Sequence, residues 1–429
     1  MRIGLEVHAA LPTKTKLFCS CGTIAEEPNS SICPICMGLP GSKPMLNREA
    51  LRIAKIISLG LNSKISDITS FIRKIYFYPD LPKSFQITQL ERAIGIGGYV
   101  ELSDKRIKIR RIQIEEDPAK IIRGDTYTLL DFNRSGIPLV EIVTEPDITS
   151  EDELREFLVE LRSILYYSGV HIEDEVKVDL NISMDVERVE VKNITGINSI
   201  IAAARYEAQR QTELMKKGIS IRTETRSYEE SSMKTVESRE KETEEEYGFI
   251  YEPDLTDFNT SDVDVAKPML AGGIAHSLAK QYDLNEKTLR ELVLFDRDAL
   301  RLLEIGVKVN PNVCVGVIEL MKKLGKVNLT EEVFDKIIRA ASDGMQLNVD
   351  TINKFERNED FEAADPSVDQ KMIDDEITTL IKERSDLISE YKKNKKVFNF
   401  VVGAIIKEYD VSPKYVAERL ALILEKMGV

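Results

Sequence analysis

The chain has 429 residues, 42% of them apolar, and a formal net charge of −14. That length predicts two to four domains with real hydrophobic cores, and the lack of any apolar run near the roughly 18 residues of a membrane span excludes a bilayer-spanning helix. The acidic balance excludes a general nucleic-acid coat protein, which needs surplus lysine and arginine to neutralise phosphate.

Residues 2–10 alternate as a strand: Ile3, Leu5, Val7 and Ala9 share one face, while Gly4, Glu6 and His8 share the other. A start of this kind does not read as a targeting peptide, so a cytoplasmic location is expected. Four cysteines follow, Cys19 with Cys21 and Cys33 with Cys36, separated by eleven residues. Asn47 is a cap for a helix reaching Leu59, and the Gly95, Gly97, Gly98 cluster suggests a hairpin turn. Ser150 with Glu153 forms a capping box for a helix carrying Leu154, Phe157, Leu158, Leu161, Ile164 and Leu165, ended by Gly169. Val176, Val178, Leu180 and Ile182, then Val189 and Val191, alternate with polar residues as two further strands. Together these strands predict one antiparallel sheet with a polar, concave face. A helix from Ala202 to Lys217 stops at Gly218, and residues 222–247, poor in apolar periodicity, suggest an exposed loop that could cover a site.

No strand signal remains after Lys267. Leucines 289, 292, 294, 300, 302 and 303 mark helices, and Thr330, with Glu331 and Glu332 in the first turn, opens another series. Pro413, preceded by Ser412, opens a last helix whose stripe is Val416, Leu420, Ile423, Leu424 and Met427, closed by Gly428. The expected organisation is therefore α+β over residues 1–266, an all-helical domain over 267–329 and a small helical tail over 330–429. Residues 381–429 hold ten Lys and Arg against seven Asp and Glu, so the tail, with Lys392, Lys393, Lys395 and Lys396, either meets a polyanion or ends a helix in solvent.

Two sets of residues carry chemistry. Paired, short-spaced cysteines can close a tetrahedral thiolate cage of the kind structural zinc prefers; ordinary buried thiols are the alternative, and disulfides a weaker one because a bridge between Cys19 and Cys21 would be strained. The second set is acidic: Glu6 beside His8, then Glu115, Glu116 and Asp117, then Glu141 and Glu145, all within apolar strands. Half-buried carboxylates need a cation, which could be magnesium with a nucleotide or arginines such as Arg110, Arg111, Arg134 and Arg162. No P-loop or nucleophile elbow is present, and three histidines, His8, His171 and His276, leave little material for a triad.

Six ordered motifs resemble those of the GatB family, the B-type subunits of the aspartyl/glutamyl-tRNA amidotransferases. They are Gly4-Leu5-Glu6-Val7-His8, residues Phe77 to Lys83 with Gln86 and Gln89, Ile114 to Asp117 with Lys120, Asp131 to Pro138, Glu141 to Asp147, and Val191-Lys192-Asn193. Arg239 to Glu242, Glu252-Pro253-Asp254 and Asn399 to Gly403 are similar as well, and the short run from Pro253 to Lys267 leaves no room for the insertion of the sister GatE family. The resemblance implies a cradle domain related to glutamine synthetase, then helical and tail domains that meet tRNA. It implies that ATP phosphorylates the side-chain carboxylate of Asp or Glu mischarged on tRNA(Asn) or tRNA(Gln). Ammonia from a partner amidase, GatA, then displaces phosphate, and a small protein, GatC, wraps the pair.

The resemblance also implies roles. His8, Glu116 and Glu141 correspond to magnesium ligands with Glu6 beside them, while Lys83, Arg134, Lys192 and Asn193 would contact ATP or substrate. Cys19, Cys21, Cys33 and Cys36 match the zinc-bearing branch. Neither a membrane nor DNA is implied as a partner. Two readings compete: a zinc-containing RNA-binding module without catalysis, and a glutamine synthetase-like ligase that needs no tRNA.

Overall fold

A computed structural model describes residues 1–170, 176–240, 248–294, 296–357, 370–383, 401–403, 405 and 413–426; the side chain of Asn193, His171 and the lysines at 392–396 lie outside them. The chain divides into two compact units, Met1–Ala271 and Gly272–Val429.

The first unit is built on a ten-stranded sheet. Its spatial order runs from Lys234–Glu240 through Glu224–Glu229, Val189–Thr195, Lys177–Ser183, Arg2–Ala10, Pro138–Thr144 and Arg106–Glu116 to the short Gly95–Ile96 and Lys64–Ile65 strands. The expected antiparallel pairing is corrected at one place: Val189–Thr195 and Glu224–Glu229 run parallel, so the sheet is mixed. Ile3, Leu5 and Val7 are fully buried in one core with Val178, Leu180, Ile112, Ile142 and the apolar stripes of three helices. These are α1 (Arg48–Gly60), α2 (Glu151–Tyr167) and α3 (Ile197–Lys216), and they cover the apolar face. Each such aliphatic side chain contributes about 1.5–3 kcal/mol on burial. The other face of the same strands is left for polar groups.

The helices begin where their caps dictate. Asn47 accepts from the Glu49 and Ala50 amides at the start of α1. At α2 the Ser150 hydroxyl accepts from Glu153 N at 3.2 Å, but the Glu153 carboxylate reaches one residue further back than the capping box predicts, to Thr149 N at 2.7 Å. Helix α3 starts five residues before Ala202, directly after Gly196.

Two expected loops are corrected. Residues 224–240 are strands rather than a covering loop, because Arg226 and Thr235 point inward to a buried carboxylate, Glu207 of α3, which gives these charged strands an inner face. The Gly95–Gly98 segment is not a hairpin turn. Gly95–Ile96 and Tyr99–Glu101 both pair with the Arg106–Glu116 strand, and the true turn closes later, with Leu102 N on Lys105 O. Gly97 and Gly98 form a kink within that line. Gly98 has φ +115, and a Cβ there would sit 2.6 Å from the Leu61 carbonyl. Gly98→Ala is expected to cost at least about 1–3 kcal/mol, read as a lowered denaturation midpoint with unchanged m value; an unchanged midpoint would show that the kink relaxes freely.

The second unit is helical. Asn285, Asp296, Asn310, Thr330 and Asn348 each accept a backbone amide three residues on, which fixes five helix starts by the same chemistry. Leu289, Leu302, Leu303, Ile318, Phe334, Ile337 and Ile338 are buried. The Glu331–Ser342 helix packs on Arg297–Gly306 and Pro311–Lys323, so the helices on both sides of Thr330 share one unit. In the Pro413–Lys426 helix Val416 and Leu420 are buried, and Arg419 Nε donates to Asp374 of the Gln370–Glu383 helix at 2.9 Å. Among the described residues no helix is long and apolar enough to cross a membrane.

Candidate active face and cysteine cage

Strand register assembles the polar face. His8 lies opposite Glu141, which lies opposite Gln113, and Glu115 is two residues along from Gln113 on the same side. His8 Nε2 consequently stands 3.3 Å from Glu115 Oε1 and 3.6 Å from Glu141 Oε1. Both carboxylates are buried, whereas His8 keeps about a fifth of its side chain exposed. Burial works against a charge on His8, but the hydrogen bond and field of Glu115, aided by Glu141 and Asp179, lift it to about 9. Burial, with the field of Glu115, pushes Glu141 up to about 7; Glu115 is held below the usual range, its burial outweighed by the His8 hydrogen bond. Thr88 Oγ1 donates to the second Glu115 oxygen at 3.2 Å. One imidazole and two carboxylates, all within 4.8 Å of one another and open on the His8 side, offer a donor set for a divalent cation.

A second acidic group lies beside the first. Glu6, Asp179 and Glu190 also come within 4.8 Å of one another. Lys192 Nζ lies 3.0 Å from Asp179 and 3.2 Å from Glu190, and Asn181 donates to Glu6 at 3.1 Å. Burial opposes the Lys192 charge, but these carboxylates hold it above the ordinary lysine range.

The four cysteines converge in the loop that follows the Arg2–Ala10 strand. Lys16 N bonds Cys21 O, and Thr15 bridges Gly22, so the loop turns back and delivers Cys19 and Cys21 to Cys33 and Cys36. All four sulfurs are free thiols within 4.8 Å of one another. Cys33 and Cys36 are 3.9 Å apart, close to the roughly 3.8 Å edge of a tetrahedron built on a Zn–S length of about 2.3 Å. The Cys36 thiol falls to about 5, chiefly through a hydrogen bond from Cys19 and helped by Lys16, while burial pushes Cys21 up to about 11.

The model of the GatB/GatE catalytic domain matches residues 1–266, the stretch that carries both the acidic face and the cage. The chain belongs to the GatB/GatE family. Among its relatives is a protein of Sulfolobus acidocaldarius, 36% identical over the full length of both chains, named as the B-type subunit of aspartyl/glutamyl-tRNA(Asn/Gln) amidotransferase. Proteins of the same name in Caldicellulosiruptor saccharolyticus, 35% identical over 99% of each chain, and Methanospirillum hungatei, 45% identical over 59% of this chain and 56% of that one, are similar too.

The GatB-type motifs do not all meet. His8 and Glu141 come together as expected, with Glu6 on the same face, but Glu116 does not join them. Strand alternation turns it to the opposite side, where it accepts from Ile87 N at 2.8 Å and pairs with Lys83 at 2.6 Å. Glu115 occupies the place beside His8, and Lys83 is tied to Glu116 rather than standing on the polar face. Arg134 donates to Pro118 O at 2.9 Å and Ala119 O at 2.7 Å and lies 3.5 Å from Asp117, which burial pushes up to about 6. Lys192 does reach the face. Of the suggested arginine pairings, Arg110 holds Glu145 through two bonds of 3.0 and 2.9 Å, away from His8. Sequence reasoning did not single out Asp179 and Glu190, and it named Glu115 in the acidic set without placing it beside His8. Their signal was present, since Ile112 and Ile114 occupy the apolar phase and Val178 and Leu180 flank Asp179.

Proposed function

We propose that this chain is the amide-forming component of a tRNA-dependent amidotransferase, a ligase that converts Asp or Glu mischarged on tRNA(Asn) or tRNA(Gln) to the amide. The observation that carries this reading is the His8, Glu115 and Glu141 cluster, two buried carboxylates and an imidazole on an otherwise polar sheet face.

A carboxylate resists attack by ammonia because its carbon is electron-rich and its leaving group would be oxide. Transfer of the terminal phosphoryl group of ATP to the side-chain oxygen gives an acyl phosphate. Ammonia then adds to the carbonyl carbon, phosphate departs with the C–O electron pair, and a proton is lost from nitrogen. His8, Glu115 and Glu141 would hold magnesium, which when bound draws charge from the ATP phosphates. Glu6, two residues from His8 on the same strand face and therefore roughly 6.6 Å away along the backbone, would take the departing proton. Lys192, kept charged by its carboxylate neighbours, would attract phosphate or the substrate carboxylate, and Asn193 is assigned to the same contact by motif position.

The cage would hold zinc as a structural ion, since four thiolates fill its coordination shell and leave no position for substrate. Ammonia would come from a GatA amidase with GatC completing a cytoplasmic heterotrimer, and the second unit with its tail would contact tRNA. The test is to combine the chain with its amidase partner, ATP, glutamine and each mischarged tRNA. Amide on the tRNA, with ATP consumption that needs the charged tRNA, is the expected result. Amidation of free aspartate or glutamate without tRNA would establish the small-molecule ligase instead, and tRNA binding without ATP turnover would establish the RNA-binding module.

A further inference from the structure

Lys16 is the largest fully buried side chain of the first unit and sits between the cysteine cage and the Phe132–Gly136 turn. Its Nζ lies 3.1 Å from the Phe132 carbonyl and 3.8 Å from Cys36 Sγ. Among the described residues no aspartate or glutamate forms an ion pair with it. A buried ammonium costs several kcal/mol unless an anion compensates it, and a carbonyl offers only a dipole. Asp131 feels the Lys16 charge only through its field, without an ion pair, so among the described residues the Cys36 sulfur at 3.8 Å is the closest group that can carry the compensating charge. Four thiolates around a divalent cation sum to −2, and one ammonium against them halves that excess.

The turn is packed against the same group. Gly136 has φ +88, and a Cβ there would stand in ordinary van der Waals contact with Lys16 Cδ at 3.5 Å and Cys36 Cβ at 3.7 Å, so turn, lysine stem and cage are immediate neighbours. Leu17 N bonds Gly136 O at 2.8 Å, and Gly136 N bonds Asp117 O at 2.9 Å, two residues beyond Glu115 of the active face. The turn is thereby fixed on one side to the cage and on the other to the end of the Arg106–Glu116 strand.

We infer that Lys16 is the counter-cation of the metal-loaded cysteine cage and the link through which the cage positions the Phe132–Gly136 turn. This rests on the reading of the cage as a metal site. Lys16→Met keeps the length and apolar stem and removes the charge. Replacing a buried ion by an apolar group is often neutral or stabilising where the ion has no special partner, so a packing role and a charge role predict opposite results.

In chelator competition the Lys16→Met protein is expected to show a zinc dissociation constant at least tenfold above wild type. Its melting temperature should fall in the zinc-loaded form and hold or rise in the metal-stripped form. Amide exchange at residues 132–136 should quicken when zinc is stripped from wild type and be already quick in the loaded variant. Lys16→Gln, which keeps a hydrogen-bond donor for Phe132 but no charge, should lose zinc affinity likewise and serves where the methionine variant folds poorly. Wild-type zinc affinity in both variants overturns the role given to Lys16, whereas a wild-type chain that binds no zinc overturns the reading of the cage itself.

Discussion

Glu115→Gln is expected to lower formation of the activated carboxylate by at least about a hundredfold, the scale of removing one group that stabilises transferred charge, while the protein stays folded. The exchange of one oxygen for NH2 keeps the volume and a hydrogen-bonding oxygen, but it replaces one of the two buried carboxylates that face His8 Nε2 and weakens the set that would hold magnesium. The loss should be accompanied by a higher magnesium requirement. Glu116→Gln makes the opposite trade. Its carboxylate is the partner of Lys83, and both side chains are nearly buried, so the variant leaves an ammonium without compensation and should lose about 3–5 kcal/mol of stability while the folded fraction still turns over. Stability curves and single-turnover ATP consumption with charged tRNA separate the two. Full turnover in Glu115→Gln, together with an inactive but stable Glu116→Gln, would return the metal site to Glu116.

The second large effect lies at Glu207, a fully buried carboxylate on α3. It receives Arg210 Nη2 at 2.7 Å, Thr235 Oγ1 at 2.8 Å and Gln211 Nε2 at 2.9 Å, and lies 3.5 Å from Arg226 Nε. Arg210 and Arg226 also share Glu224. Glu207→Ala leaves Glu224 as the one carboxylate the two guanidinium groups still share and strips Thr235 and Gln211 of an acceptor, and breaking a buried pair from one side costs about 3–5 kcal/mol. The melting temperature should fall by on the order of 10 °C, and amide exchange should quicken first over residues 224–240, since this carboxylate ties both of these strands to the helix through Arg226 and Thr235. A shift of a degree or less would mean that the strands are held by their ladder bonds alone. In Glu207→Leu combined with Arg226→Met most of the lost stability should return, because apolar groups of similar volume replace the network without leaving a bare charge.

How much of the site was legible can be read from particular residues. His8 and Glu6 could be placed on one polar face because the two-residue period of a strand is local and both sit in an unbroken alternation with aliphatic neighbours; Glu141, whose strand is apolar on both faces, was joined to them by motif position alone. Glu115 and Glu116 defeated that reasoning. They are adjacent acids at the end of a strand whose phase changes on the way: Ile107 and Ile109 are inward, then Ile112 and Ile114, with the register slipping opposite Val143 and Thr144. Counting back from Ile114 puts Glu115 on the polar face; motif position pointed to Glu116. The segment after Arg222 was misread for a different reason. Its strands are polar on both faces by composition, and the face that is inward is defined only by a carboxylate on a distant helix.

The sequence by itself determined the family, the alternation of the central strands, the caps that start α1, α2 and the Glu331–Ser342 helix, and the presence of four cysteines at metal-binding spacing. All of these depend on residues near one another in the chain, where the backbone period and side-chain reach set the outcome. Only the tertiary structure decided that the sheet is mixed, that Gly97 and Gly98 kink a strand instead of turning it, and which of two neighbouring glutamates faces His8. It also brought Lys16 to Cys36 and Glu207 to Arg226, because a buried charge is assigned its partner by how distant segments pack, and no local pattern records which segment will arrive.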